Sequence, residues 1–128
     1  PKTQADLGLA LCYAGMCEEG KTFLGDAIEK WPNAGEPYSA LARVFYENRE
    51  QLPQACRLVR HALQNQTLTS DLMMLAVTLH EKCDDEPRAR KLLRAAIKRF
   101  PQDRALKLRA RKLNLEGLEE LLKSIKKP

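Results

Sequence analysis

A pattern of small and apolar residues returns three times along the 128-residue chain at a spacing of about 34 residues, and a fixed period of that length restricts the fold more than any composition does. Leu7, Gly8, Leu11, Gly20, Leu24, Ala27 and Pro32 mark the first unit, residues 1–34. The second, 35–69, repeats it with Tyr38, Leu41, Ala42 and Phe45, then Ala55, Val59 and Ala62, with one extra residue in its inner turn. The third, 70–103, carries Met73, Ala76, Val77 and His80, then Ala89, Leu93, Ala96 and Pro101. Each unit divides into two apolar runs of helical periodicity, with small residues where two helices would cross closely. One such pair cannot bury its apolar face alone, so the units must stack.

Turn chemistry agrees with this division. Pro37, Pro53 and Pro87 each precede an apolar-periodic segment, and proline is favoured at a helix start because the N–H it lacks has no partner there. Ser70 and Asp103 are expected N-caps, each offering a side-chain oxygen to an orphan N–H. The pattern predicts helices near 3–14, 18–31, 37–47, 53–65, 71–82, 87–100, 104–113 and 116–126. Aromatic residues are only 5% of the chain while Ala, Leu, Lys, Arg and Glu dominate, which argues against strands. The fold class expected is all-α, one domain of three antiparallel helix pairs. Segment 71–82 is apolar nearly all round and belongs in the interior. Segment 104–128 closes the stack, with Leu115, Leu118, Leu121, Leu122 and Ile125 as one apolar stripe, since an open array needs an end helix with a polar outer face.

These offsets resemble the tetratricopeptide repeat family, whose signature runs Trp-x2-Leu-Gly-x2-Tyr, then small, aromatic and small residues, then Pro. The resemblance covers residues 1–103, with Gln4 and Met73 at the Trp position, His80 at the Tyr position and Thr67 at the closing Pro of the second unit. It implies a right-handed α-solenoid in which the first helix of each pair lines a concave face. That face would carry Ala5, Leu9 and Tyr13, then Ser39, Arg43 and Tyr46, then Met74, Thr78 and Glu81, with Leu108 and Lys112 beyond. Aromatics, Met and Arg are common interface anchors, so the resemblance implies a scaffold or adaptor that binds a protein or peptide in this groove. A clamp for the acidic C-terminus of heat-shock chaperones is not expected, because the corresponding positions hold Ala5, Leu9, Ala40, Asp71 and Leu75.

Charge offers the competing reading. Residues 1–64 hold seven Lys/Arg and eight Asp/Glu, whereas 65–128 hold fifteen and nine, so the net +5 is local to the second half. A strip of Arg90, Lys91, Arg94, Lys98, Lys107 and Arg111 within Arg88–Lys112 could attract nucleic acid or another anionic surface through its summed field. No aromatic is interleaved there to stack on bases.

Catalytic chemistry has little to stand on. The chain has no glycine-rich phosphate loop, Gly-x-Ser-x-Gly elbow or His-Glu-x-x-His, and no enzymatic activity or cofactor is expected. Cys12, Cys17, Cys56 and Cys83 contain no Cys-x-x-Cys pair, and His61 and His80 add no ligand spacing, so no metal is expected. The cysteines read as free thiols packed in the core, which with the absence of a leader or an eighteen-residue apolar run points to the cytoplasm. Asp84, Asp85 and Glu86 read as complements to a helix start. The chain opens at Pro1 rather than Met, as a fragment of a longer protein would.

Overall fold

A computed structural model describes residues 1–113 and 117–126, without the side chains of 118, 125 and 126. Its regular elements are all helices: α1 (Lys2–Tyr13), α2 (Cys17–Lys30), α3 (Gly35–Glu47), α4 (Leu52–Asn65), α5 (Ser70–Lys82), α6 (Glu86–Arg99), α7 (Arg104–Lys112) and α8 (Leu118–Lys126). They fall into two compact units, Pro1–Leu68 and Thr69–Pro128, where the repeat pattern predicts one continuous stack. The boundary lies one residue before the expected start of the third repeat.

The first unit holds two helix pairs. α1 packs on α2, α3 on α4, and α3 also lies against both α1 and α2. The first pair crosses where neither helix has a side chain: a Cβ added at Gly20 would stand 2.7 Å from the Gly8 carbonyl oxygen. Gly35 meets the end of α4 as closely, with Gln66 Cβ 2.8 Å from where its own Cβ would be. The second unit pairs α5 with α6 and sets α7 against α6. Leu24, Val59 and Leu93, one repeat apart in sequence, are all completely buried. So are Ala55, Ala62, Ala89 and Ala96 at the crossing positions. Leu72, Met73, Leu75, Ala76, Val77, Thr78, Leu79 and His80 are buried along α5, in keeping with its all-round apolar sequence.

The backbone carries the same period independently of any side chain. Positive φ occurs at Gly15, Arg49 and Asp84, the same position of each repeat. At each, the chain leaves a helix through two crossed bonds: Gly15 N–H to Cys12 O with Met16 N–H to Leu11 O, Arg49 to Tyr46 with Glu50 to Phe45, and Asp84 to Glu81 with Asp85 to His80. That is the Schellman termination, which satisfies the last helical carbonyls through one left-handed residue. Only the first repeat places glycine there. Arg49 and Asp84 bear a Cβ in a conformation that costs an L-residue roughly 1–2 kcal/mol, partly offset in glycine by its larger unfolded-state entropy. Arg49→Gly is therefore expected to stabilise the first unit by about 0.5–1 kcal/mol in urea unfolding; a loss of stability would show that the Arg49 side chain, not the turn, governs this site.

Three local expectations are corrected. The N-cap of α5 is Thr69, not Ser70: Thr69 is extended and its Oγ1 accepts from Leu72 N–H at 3.1 Å, so Ser70 becomes the first helical residue. Leu7 is 52% exposed, because α2 and α3 take up the side of α1 that carries the buried Ala5 and Gly8. The cysteines are not free thiols: Cys12 and Cys17 form a disulfide and none of the four is free. The turn at Ala14, Gly15 and Met16 reverses the chain, which brings the last turn of α1 to the first residue of α2. Both cysteines are half-buried, and with none of the four free the cysteines do not point to a reducing cytoplasm. Asp103 does cap α7, accepting from Leu106 N–H at 3.1 Å. Of the closing stripe, Leu122 is buried and Leu121 half-buried, while Leu115 and the side chains of Leu118 and Ile125 lie outside the described residues. None of the described helices is long and apolar enough to cross a membrane.

Candidate functional site

In the first unit the proposed groove residues gather on the neighbouring first helices α1 and α3. Tyr13, 64% exposed at the end of α1, donates its hydroxyl to Glu47 Oε1 at 3.2 Å. Arg43 and Tyr46 precede Glu47 by four and one residues, and both are half-buried. Leu9 is half-buried one turn before Tyr13, whereas Ala5 is buried and presents nothing to a ligand. Ser39 is engaged within its own unit, with Oγ 3.0 Å from Glu36 O and 2.9 Å from Gln66 Oε1. The open part of this face is thus Leu9, Tyr13, Arg43 and Tyr46, two phenols, a guanidinium and an aliphatic residue.

Two further links fasten the same end of the unit: Asn48 Nδ2 lies 3.3 Å from Cys17 Sγ, and Lys21 Nζ lies 2.9 Å from Glu50 Oε1. The bonds from Glu50 and Glu18 hold the Lys21 ammonium above its ordinary pKa. Glu47 escaped the sequence reading, although a signal existed. Tyr13 and Glu47 are 34 residues apart, one repeat, and equivalent positions of consecutive first helices lie side by side.

Tyr13 has an electrostatic signature that can be measured. Partial burial, the Glu47 charge and the bond to Glu47 raise its pKa above the ordinary 10.0, against a lowering by Arg43. With the folded value above the unfolded one, the contribution to stability is complete below pH 10.0 and is lost as pH rises through the folded pKa. Glu47→Gln is expected to bring the Tyr13 transition down toward the ordinary value in an ultraviolet titration of the phenols. An unchanged transition would place the carboxylate elsewhere in solution.

In the second unit the expected groove residues on α5 are less open. Thr78 is only 6% exposed and donates to Met74 O at 2.8 Å; back-bonding to its own helix turns the hydroxyl away from any ligand. Glu81 is taken by Arg109, with Oε2 2.6 Å from Nη1. Met74 is half-buried, Lys112 exposed, and Leu108 exposed at 63%.

The basic strip is not a row of equivalent cations. Arg90 binds Glu86 Oε1 at 2.9 Å and the Leu113 carbonyl, so it ties α6 to the end of α7. Arg94 and Lys107 are half-buried, leaving Lys91, Lys98 and Arg111 exposed.

The acidic run behaves as a helix start. Asp85 caps α6 by accepting from Arg88 N–H at 3.4 Å, and Glu81, Asp84, Glu86 and Leu113 line an open cleft of about 300 Å³. A second cleft of about 460 Å³ lies at the α6–α7 turn, bordered by Ser70, Arg99, Phe100, Pro101, Gln102 and Asp103. No group of three His, Cys, Asp or Glu side chains among the described residues is arranged to hold a metal ion. His61 stands with Nε2 3.0 Å from Pro32 O and meets the Tyr38 ring at 3.8 Å between centroids, tilted by 46°. His80 is 1% exposed, out of reach of a substrate. Neither the models of known protein families nor the sequences of curated proteins match this chain.

Proposed function

We propose that the chain is a non-catalytic protein-binding module, a scaffold or adaptor built as a tetratricopeptide-like right-handed stack of three helix pairs closed by α7 and α8. Its partner segment lies along the faces of the first helices. The observation that carries this reading is the open face shared by α1 and α3, which holds Leu9, Tyr13, Arg43 and Tyr46 and where the Tyr13–Glu47 bond joins equivalent positions of consecutive repeats. Tyr46 and Arg43 are already half-buried and Tyr13 is held by Glu47, and tyrosine and arginine side chains supply both apolar area and directional bonds to a partner. The Cys12–Cys17 disulfide suits an oxidising compartment better than the reducing cytoplasm. It braces the turn next to Tyr13.

The test is affinity capture from the source lysate with the wild-type chain and with Arg43→Ala/Tyr46→Ala, whose unfolding midpoint is checked first. Proteins retained by the wild type and lost by the double variant support the reading. An identical set of captured proteins removes the α1/α3 face from consideration.

A further inference from the structure

We propose that the outer face of α7 docks an acidic, extended segment of a protein partner in which one apolar residue stands between two carboxylates. The inference stands on the protein-binding reading in taking the occupant to be a protein, and it concerns Leu108 and Lys112, the last residues expected on that groove, in the unit that does not hold α1 and α3. α7 is anchored through Leu106 and Ala110, both completely buried. Rotating by about 100° per residue, the opposite side carries Arg104, Leu108 and Lys112, with Arg111 beside them, and all four are exposed. Leu108 is 63% exposed, and its neighbours one turn back and one turn on are cations. No described carboxylate pairs with Arg104, Arg111 or Lys112, and the nearest acid in sequence, Asp103, is spent on capping Leu106 N–H. An aliphatic side chain is left in water between three cations that no described carboxylate meets.

Each alternative partner leaves part of this arrangement unused. A phosphate backbone satisfies the cations and offers Leu108 nothing. An anionic membrane satisfies the cations too, yet a nine-residue helix with one exposed leucine has far too little apolar area to hold in the interface. A protein segment can answer both features, and the spacing selects its conformation. Arg104 and Lys112 are separated along the axis by about 12 Å at 1.5 Å per residue. In an extended chain, residues i, i+2 and i+4 share a side and span about 13 Å. The sequence acid-x-apolar-x-acid therefore sets its carboxylates on Arg104 and Lys112 and its apolar side chain on Leu108, with Arg111 adding to the field.

The probe is the capped peptide Ser-Glu-Ser-Leu-Ser-Glu-Ser, titrated into the isotope-labelled full chain and followed by amide NMR shifts in 20 mM salt. Saturable shifts are expected at Arg104–Lys112. Leu108→Ser is expected to weaken binding at least fivefold, as is a peptide of the same composition with its two Glu adjacent and its Leu moved out of register. Arg104→Glu/Lys112→Glu should abolish binding, and Arg43→Ala/Tyr46→Ala should leave it unchanged, which separates this inference from the α1/α3 reading. The proposal is overturned by shifts lying outside α7, by no saturation at 5 mM peptide, or by equal affinity for the rearranged peptide or for the Leu108→Ser variant. It is equally overturned if a twelve-nucleotide single strand or phosphatidylserine vesicles bind α7 more tightly than the peptide and without dependence on Leu108.

Discussion

Gly20→Val is expected to destabilise the first unit by about 3 kcal/mol, the upper part of the range for overpacking a closed contact. The valine Cβ alone would sit 2.7 Å from the Gly8 carbonyl oxygen and 3.2 Å from Cys12 N. Both are backbone atoms of α1, so the clash cannot be relieved by turning a side chain, and the α1–α2 pair must separate. Gly25 supplies the control on the same helix, because a Cβ there meets nothing within 4 Å. Gly25→Ala should instead gain about 1 kcal/mol from helix propensity. Trp31, the single tryptophan, ends α2, so its fluorescence during urea unfolding reports on this unit. Equal and small effects for the two variants would mean that the helices do not cross at Gly8 and Gly20.

The second large effect is expected at Leu93→Ala. Leu93 is completely buried on α6, and removing its isobutyl group loses both its transfer free energy and its packing, about 3 kcal/mol for a site that collapses only in part. Leu108→Ala removes the same atoms from a residue 63% exposed and should change stability by less than about 0.5 kcal/mol. Urea unfolding followed by circular dichroism at 222 nm separates the two. If Leu108→Ala proved as damaging as Leu93→Ala, the rotation assigned to α7 would be wrong, and with it the docking face.

The helices were legible in the sequence because their ends are set by local chemistry. Pro53 and Pro87 stand in the first turns of α4 and α6, and Asp103 bonds the N–H three residues on. Thr69 and Ser70 offer adjacent hydroxyls of similar capping strength, so sequence alone could not choose between them; the extended backbone at Thr69 does. The disulfide was illegible for a different reason. A separation of five residues says nothing about closeness until the direction of the intervening turn is known, and the positive φ at Gly15 supplies that direction.

Side-chain roles within the candidate faces were legible in proportion to how far they depend on one helix. A helical wheel brings Leu108 between Arg104 and Lys112, and all three are exposed. It also sets Thr78 on the face of Met74 and Glu81, yet the Thr78 hydroxyl turns to the Met74 carbonyl and Glu81 is claimed by Arg109 from another helix. Tyr13 and Glu47 show the reverse case, a contact between helices that the repeat length alone would have disclosed.

The central claim, that a partner lies on the first-helix faces of α1 and α3, is tested most directly by placing a photoreactive benzoylphenylalanine at Tyr46 or, separately, at the exposed Glu29 of α2 and irradiating each protein with the captured partner. Covalent adducts are expected from position 46, and they should disappear when Arg43→Ala is added. Adducts that form equally from position 29, or only from it, would contradict the claim.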